Sequence, residues 1–210
     1  MGKTEIAYEY IKNKILSWEY PPLSDLSEDA IQKELNISRT PVREAFLRLE
    51  KEGFVYIYPR KGTIVSEVTK DLIDEIYQIR ELNEPFIAVQ AMGHIDRGWL
   101  EEIHEMLQNP PHDLEREALK KYYIDIDHHL HTKILESCSN RYLKTIMRNV
   151  YDHDQRIRMR TSDPLRDQNS TIREHLHIIE GLLEQDADKV RHWSLIHIGT
   201  SKQVTYEQMG

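Results

Sequence analysis

Residues 38–62 read Ser38-Arg39-Thr40-Pro41-Val42-Arg43-Glu44-Ala45-Phe46-Leu47-Arg48-Leu49-Glu50-Lys51-Glu52-Gly53, then Phe54-Val55-Tyr56-Ile57-Tyr58-Pro59-Arg60-Lys61-Gly62. This stretch decides the fold of the N-terminal third. Ser38 is a favoured N-cap residue, and Pro41 falls in the first helical turn, where its missing N–H would have had no intrahelical acceptor. Val42, Ala45, Phe46 and Leu49 recur at helical spacing as one apolar stripe, while Arg39, Thr40, Arg43 and Arg48 fall largely on the remaining surface. The spacing predicts a helix that packs on one side and offers arginines on the other.

Upstream, Ser27-Glu28-Asp29-Ala30-Ile31-Gln32-Lys33-Glu34-Leu35 reads as a short preceding helix with Ala30, Ile31 and Leu35 on its packing face. Asn36-Ile37 is the tight connection, so the two helices form a helix-turn-helix. Downstream, Gly53 is a natural helix stop. Phe54 to Tyr58 and Thr63 to Ser66 are β-prone runs around the turn Pro59-Arg60-Lys61-Gly62, which predicts a two-stranded wing with a basic tip. Arginine grips guanine O6 and N7 through two donors, while short hydroxyl side chains and backbone amides bind phosphates and fix register. An isolated helix with these charges would most simply be a solvated surface. The agreement of cap, turn and wing favours DNA reading instead.

These residues resemble the GntR family of bacterial transcription regulators. The match lies in Leu26-Ser27-Glu28, in Ile37-Ser38-Arg39-Thr40-Pro41-Val42-Arg43-Glu44-Ala45, and in Glu52-Gly53 and Lys61-Gly62-Thr63. The resemblance implies Ser38, Arg39, Thr40 and Arg43 at the major groove of a palindromic double-stranded operator, with Arg60, Lys61 and Gly62 at the wing tip. Asp29 departs from the pattern, standing where some relatives carry a DNA-contacting arginine.

The net charge of −8 over 210 residues looks adverse for a DNA binder until it is divided along the chain. Residues 1–69 are nearly balanced, with 10 basic and 11 acidic side chains, so the acidity belongs mainly to residues 70–210. Within residues 38–48 three arginines face only Glu44, leaving a local positive surface. A single cysteine, Cys138, excludes an intrachain disulfide and fits a reducing compartment. No apolar stretch approaches membrane-spanning length and no signal-peptide core is evident, so a soluble cytoplasmic protein is expected, with no membrane partner.

From residue 70 onward the pattern is helical nearly throughout, with segments at about 71–93, 97–108, 114–138, 140–160, 164–184 and 186–206. Breaks fall at Gly93-His94, Asn109-Pro110-Pro111, Ser139-Asn140, Asp163-Pro164 and Gln185-Asp186. The expected whole is mainly α: an N-terminal winged helix-turn-helix over residues 1–69 and a C-terminal all-α antiparallel bundle over residues 70–210.

Asp127 and His131 are four apart on a face that also carries Ile124, Ile134 and Leu135. His175 lies in phase with Ile172, Ile179 and Leu182, and His197 with Val190, Trp193 and Val204. Burying one carboxylate and three imidazoles without partners is costly, and together they suit a divalent transition metal: zinc, nickel or manganese. The remaining histidines, including His128, His129, His153 and His192, are expected at the surface or behind the site, and His177 is expected to point to water.

A second resemblance covers most of residues 71–207, to the FCD ligand-binding domain of the FadR-type branch of the GntR family. It is carried by Asp127-His128-His129-Leu130-His131, Asn140-Arg141-Tyr142-Leu143, Glu174-His175, Asp186-Ala187 and His197-Ile198. It implies metal ligation by Asp127, His131, His175 and His197, an effector contact at Arg80, a small carboxylate metabolite as effector, and a homodimer. The six-helix count resembles the VanR-type subgroup. Two other classes compete with a metabolite-responsive regulator. Glu101-x-x-His104 and Glu174-x-x-His177 have the spacing of di-iron carboxylate bundles, which would make a metal-dependent oxidoreductase or hydrolase. Alternatively, the bundle is structural and its metal a stabilising knot.

Overall fold

A computed structural model describes residues 2–111, 113–161 and 168–209. The chain divides into two compact units, Met1–Leu72 with Asp152–Arg160, and Ile73–Tyr151 with Thr161–Gly210. The expected split after residue 69 lies close to the Leu72/Ile73 division but made no provision for Asp152–Arg160, which belongs with the first unit.

In the first unit, α1 (Lys3–Leu16) precedes β1 (Asp25–Leu26), α2 (Glu28–Leu35), α3 (Arg39–Lys51), β2 (Val55–Tyr58) and β3 (Gly62–Val65). The stripe foreseen on α3 is its packing face, with Val42, Ala45, Phe46 and Leu49 buried against Ile31 of α2 and against Ala7, Tyr8, Ile11 and Ile15 of α1. Ala30, expected on the packing face of α2, is exposed instead. Ser27 caps α2, its hydroxyl accepting from the Ala30 amide, and Asn36 ends that helix in the left-handed region at φ 51°. Ser38 holds the N-cap position of α3, but its side chain makes no capping hydrogen bond. Gly53 takes φ 83°, which a side chain would resist, and turns the chain from α3 into the wing.

The wing is part of a three-stranded antiparallel sheet in the order β1-β3-β2, not a two-stranded ribbon. Its register pairs Val55 with Val65 and Tyr58 with Gly62, leaving Arg60 and Lys61 exposed at the tip. The third strand pairs Asp25 with Ile64.

The remaining helices are α4 (Lys70–Ala91), α5 (Arg97–Gln108), α6 (Arg116–Ser137), α7 (Arg141–Thr161), α8 (Gln168–Glu184) and α9 (Ala187–Gln208). All six expected segments are present with boundaries shifted by a few residues; the break at Asp163-Pro164 lies outside the described residues. In the second unit, Ile73, Ile87, Leu130, Leu135, Met147, Ile179, Val190 and Ile198 form the buried interior.

The C-terminal part of α7 completes the core of the first unit. The His153 ring stacks on Phe54, centroids 4.2 Å apart with 2° between planes, and its Nε2 donates to the Glu52 carbonyl oxygen at 2.8 Å. Arg156 is fully buried, donating to Ser66 Oγ at 2.9 Å and to the Glu67 carbonyl at 3.2 Å, while its own carbonyl accepts from Trp18 Nε1. Lys12 of α1 bridges Asp152 at 2.6 Å and Glu52 at 3.2 Å. Burial drives the His153 imidazole down to about 4 and the Arg156 guanidinium down to about 10. His153, expected near the surface or behind the bundle site, is therefore a neutral ring in the core of the first unit.

Candidate functional site

The helix periodicities bring Asp127 and His131 of α6, His175 of α8 and His197 of α9 together. One ligand atom from each lies within 4.8 Å of the others, and all four side chains are buried or nearly so. His131 Nε2 and His197 Nε2 approach to 3.2 Å, and Asp127 Oδ1 lies 3.3 Å from His175 Nε2, 3.9 Å from His131 Nε2 and 4.0 Å from His197 Nε2.

The tautomers follow from what stands behind the rings. His131 Nδ1 faces Glu84 Oε2 at 3.3 Å, and His197 Nδ1 faces Glu174 Oε2 at 3.3 Å. A carboxylate at Nδ1 draws the ring proton there and leaves the Nε2 lone pair pointing inward. Two such lone pairs at 3.2 Å, with a carboxylate oxygen beside them, repel each other unless something positive sits between them. The donor set of three imidazoles and one carboxylate fits a divalent transition ion on these chemical grounds.

Glu84 was not expected from sequence, and Glu174 was expected only within the Glu174-His175 motif and the Glu174-x-x-His177 alternative, not behind His197. Glu84 is 5 % exposed and bound to Arg80 Nε at 2.5 Å. Burial alone would raise its carboxyl, but Arg80 and His131 outweigh burial and hold it down at about 2. Burial would lower His131, but the Glu84 carboxylate more than reverses this, so a proton and a metal ion compete for the same Nε2. Burial, with the neighbouring His175 and His131, holds His197 well below the ordinary histidine range, so it stays neutral. Burial raises Glu174.

Beside this cluster lies a cavity of about 10 Å³, room for about one water, walled by Glu84, His131, Tyr151 and Ser194 with Leu130 and Ile178. Arg80, expected as an effector contact, is not in that wall. It is 1 % exposed and paired with Glu84, so it reaches the site through Glu84 and His131. His177 is half-buried, stacked on Trp193 with centroids 4.1 Å apart and paired with Glu180, which removes it from the cluster. His104 faces Glu180 at 3.8 Å, so neither Glu-x-x-His pair contributes to a common metal centre.

On the first unit, Ser38, Arg39, Thr40 and Arg43 are all exposed along the start of α3. Arg48 is not placed with them. Its guanidinium lies 3.5 Å from the centroid of the Tyr8 ring and pairs with Glu5 at 2.9 Å and Glu52 at 3.1 Å, tying α3 to α1. Arg39 and Arg43 are themselves engaged. Arg39 Nη2 donates to Asp29 at 2.7 Å, and Arg43 Nε donates to both Glu28 oxygens at 3.0 and 3.1 Å.

A winged helix-turn-helix joined to an all-helical domain defines a DNA-binding transcription regulator. Residues 3–65 match the pattern of the bacterial regulatory proteins of the gntR family, and residues 75–200 match the FCD domain. The chain belongs to the GntR family, with an FCD domain as its C-terminal part. It is 24% identical over 191 residues to the HTH-type transcriptional repressor RspR of Escherichia coli, covering 91% of this chain and 83% of that one. Its fold is that of E. coli McbR/YncC, with a TM-score of 0.81 at 20% identity over the whole of both chains. The Zn2+-bound FCD domain of TM0439 superposes with a TM-score of 0.55 at 18% identity, covering 69% of this chain and 98% of that one. The family and its relative RspR are transcription regulators, not enzymes, which sets aside the metalloenzyme alternative. No helix among the described residues is long and apolar enough to cross a membrane.

Proposed function

We propose that this regulator is a metabolite-responsive repressor that binds a palindromic operator as a homodimer. Ser38, Arg39, Thr40 and Arg43 enter the major groove, Arg60, Lys61 and Gly62 form the wing contact, and Arg48 braces α3 from behind. In the second unit Asp127, His131, His175 and His197 hold a divalent ion, with zinc, nickel and manganese all suited to the donors. With such an ion bound, a small carboxylate effector would find open coordination positions there, and Arg80 would act on the site through Glu84. The observation that carries the reading is the inward convergence of three imidazole nitrogens on a buried carboxylate, with a further carboxylate behind two of the rings. The zinc held by the FCD domain of TM0439 supports it.

When bound, the ion supplies positive charge and open coordination positions for effector oxygens. The protein's own groups do the rest: Glu84 and Glu174 fix the ring tautomers, Leu130 and Ile178 make part of the cavity wall apolar, and Tyr151 and Ser194 add polar side chains to it. The cavity is small, so effector entry requires a shift of the surrounding helices. An effector changes DNA binding only by favouring one arrangement over another.

Elemental analysis of the purified protein is the first test, with about one ion per chain expected and most of it lost in His175→Ala. Equal metal content in both proteins would remove His175 from the site. A thermal-shift panel of carboxylates, run with and without chelator, then separates a sensor from a structural knot. A carboxylate that raises the midpoint only in metal-replete protein supports the sensor; no shift across the panel supports the knot.

A further inference from the structure

The first turn of α2 carries two acids, Glu28 and Asp29, directed at the arginines of α3. Glu28 receives Arg43 Nε through both carboxylate oxygens and lies 3.4 Å from Arg39 Nε, and Asp29 receives Arg39 Nη2. Glu28 therefore meets the Nε of both guanidiniums, and Asp29 meets one terminal nitrogen of Arg39. Among the described residues neither Nη of Arg43, and not Nη1 of Arg39, makes a hydrogen bond, and the two side chains are 60% and 52% exposed. Both Nη of Arg43, the edge that pairs with guanine O6 and N7, and Nη1 of Arg39 are what remain available.

We propose that Glu28 and Asp29 are positioning residues for sequence reading, orienting the guanidinium ends of Arg43 and Arg39 before DNA arrives. This rests on α3 being the recognition helix. Two physical effects compete at such acids, and they have opposite signatures. An acid close to the duplex repels phosphates and weakens binding to every sequence alike. An acid that pre-orders an arginine reduces the rotamer freedom lost on binding, and it does so only where that arginine finds its base. Asp29 is the more exposed of the two, with its carboxylate held below the usual range by the hydrogen bond from Arg39. Its cost in phosphate repulsion is correspondingly larger, so its contribution beside the reading arginine is to specificity, not to affinity.

The test uses the full-length protein and a randomised duplex library. Wild-type protein selects a consensus duplex, and affinities for that duplex and for a scrambled duplex of equal length are measured for wild type, Glu28→Gln, Asp29→Asn and Arg43→Ala at fixed salt. Thermal midpoints confirm that the variants are folded, since exposed ion pairs contribute little to stability. Glu28→Gln and Asp29→Asn are expected to bind the scrambled duplex as well as wild type or better, while the ratio of consensus to scrambled affinity falls about tenfold, with the loss concentrated at guanines. An equal tightening on both duplexes with an unchanged ratio would overturn the proposal and reduce the acids to phosphate repulsion. If Arg43→Ala leaves the consensus affinity unchanged, or the library yields no consensus, the assignment of α3 itself fails and takes the proposal with it.

Discussion

Glu84→Gln separates the electrostatics of the bundle interior from the proposed metal binding. The carboxylate stands between Arg80 Nε at 2.5 Å and His131 Nδ1 at 3.3 Å, and the side chains of Arg80 and Glu84 are 1% and 5% exposed. Glutamine keeps the shape and one accepting oxygen but removes the charge that balances a buried guanidinium. Removing one partner of a buried pair costs about 3–5 kcal/mol. With one acceptor retained, the lower end applies, about 3 kcal/mol, or a fall in melting temperature of roughly 6–12 °C for a chain of this size. The second effect is on the ion: a histidine ligand that loses the carboxylate behind it typically binds metal about 10–100-fold more weakly. Metal-free protein in a thermal melt reads the first quantity, and competition with a chromophoric chelator reads the second. A double variant, Arg80→Met with Glu84→Leu, should recover most of the melting temperature, since apolar replacement of a whole buried pair is close to neutral. It should not recover the metal affinity. A Glu84→Gln protein that melts within about 1 °C of wild type would refute the burial argument, and unchanged chelator competition would remove Glu84 from the support of His131.

Arg43→Ala should weaken binding to the selected operator by about tenfold or more and relax base preference at one position, read by gel-shift titration; unchanged affinity and preference would sink its role. His153 carries a pH dependence of stability. Its folded value of about 4 lies below the ordinary 6.5, so the unfolded chain binds more protons between these values and stability rises with pH across that window. The contribution, up to about 3 kcal/mol, is complete above pH 6.5 and lost as pH falls toward 4. His153→Phe, which keeps a ring against Phe54, should flatten the slope in urea melts between those pH values, and an identical slope would show that other groups set it. Ser27→Ala should cost about 1 kcal/mol through the lost cap on α2, whereas Ser38→Ala should cost less than about half of that; equal urea midpoint shifts would contradict the capping geometry.

What could be read from the chain alone follows from how far apart the interacting residues lie. The α3 stripe, the turn at Asn36 and the stop at Gly53 are local patterns, and each is present where periodicity and turn chemistry predicted it. The cluster Asp127, His131, His175 and His197 was legible because each helix carries its polar residue in phase with its own apolar residues. Helix α1 escaped, although Ala7, Tyr8, Ile11 and Ile15 have the same spacing. Glu84, and the place of Glu174 behind His197, escaped for another reason. In a chain with 36 acidic residues, a glutamate reads as solvated surface unless its phase is checked. Arg80 and Glu84 share the stripe of Ile73, Tyr77, Ile87 and Ala91, and that phase was the available signal. The β1 strand is only two residues long and is defined by its pairing with β3, which no local pattern encodes.

The participation of Asp152–Arg160 in the first unit bears on how such a protein can be taken apart and how it is born. A fragment cut after residue 72 would leave Phe54 without the ring that stacks on it, Ser66 without the guanidinium it binds, and Lys12 without Asp152. The reading head is consequently a poor candidate for transplantation at the linker, because part of its interior is encoded about 100 residues downstream. On the ribosome the same wiring delays its completion until α7 has emerged, so the nascent N-terminal segment lacks its finished core through the synthesis of three intervening helices.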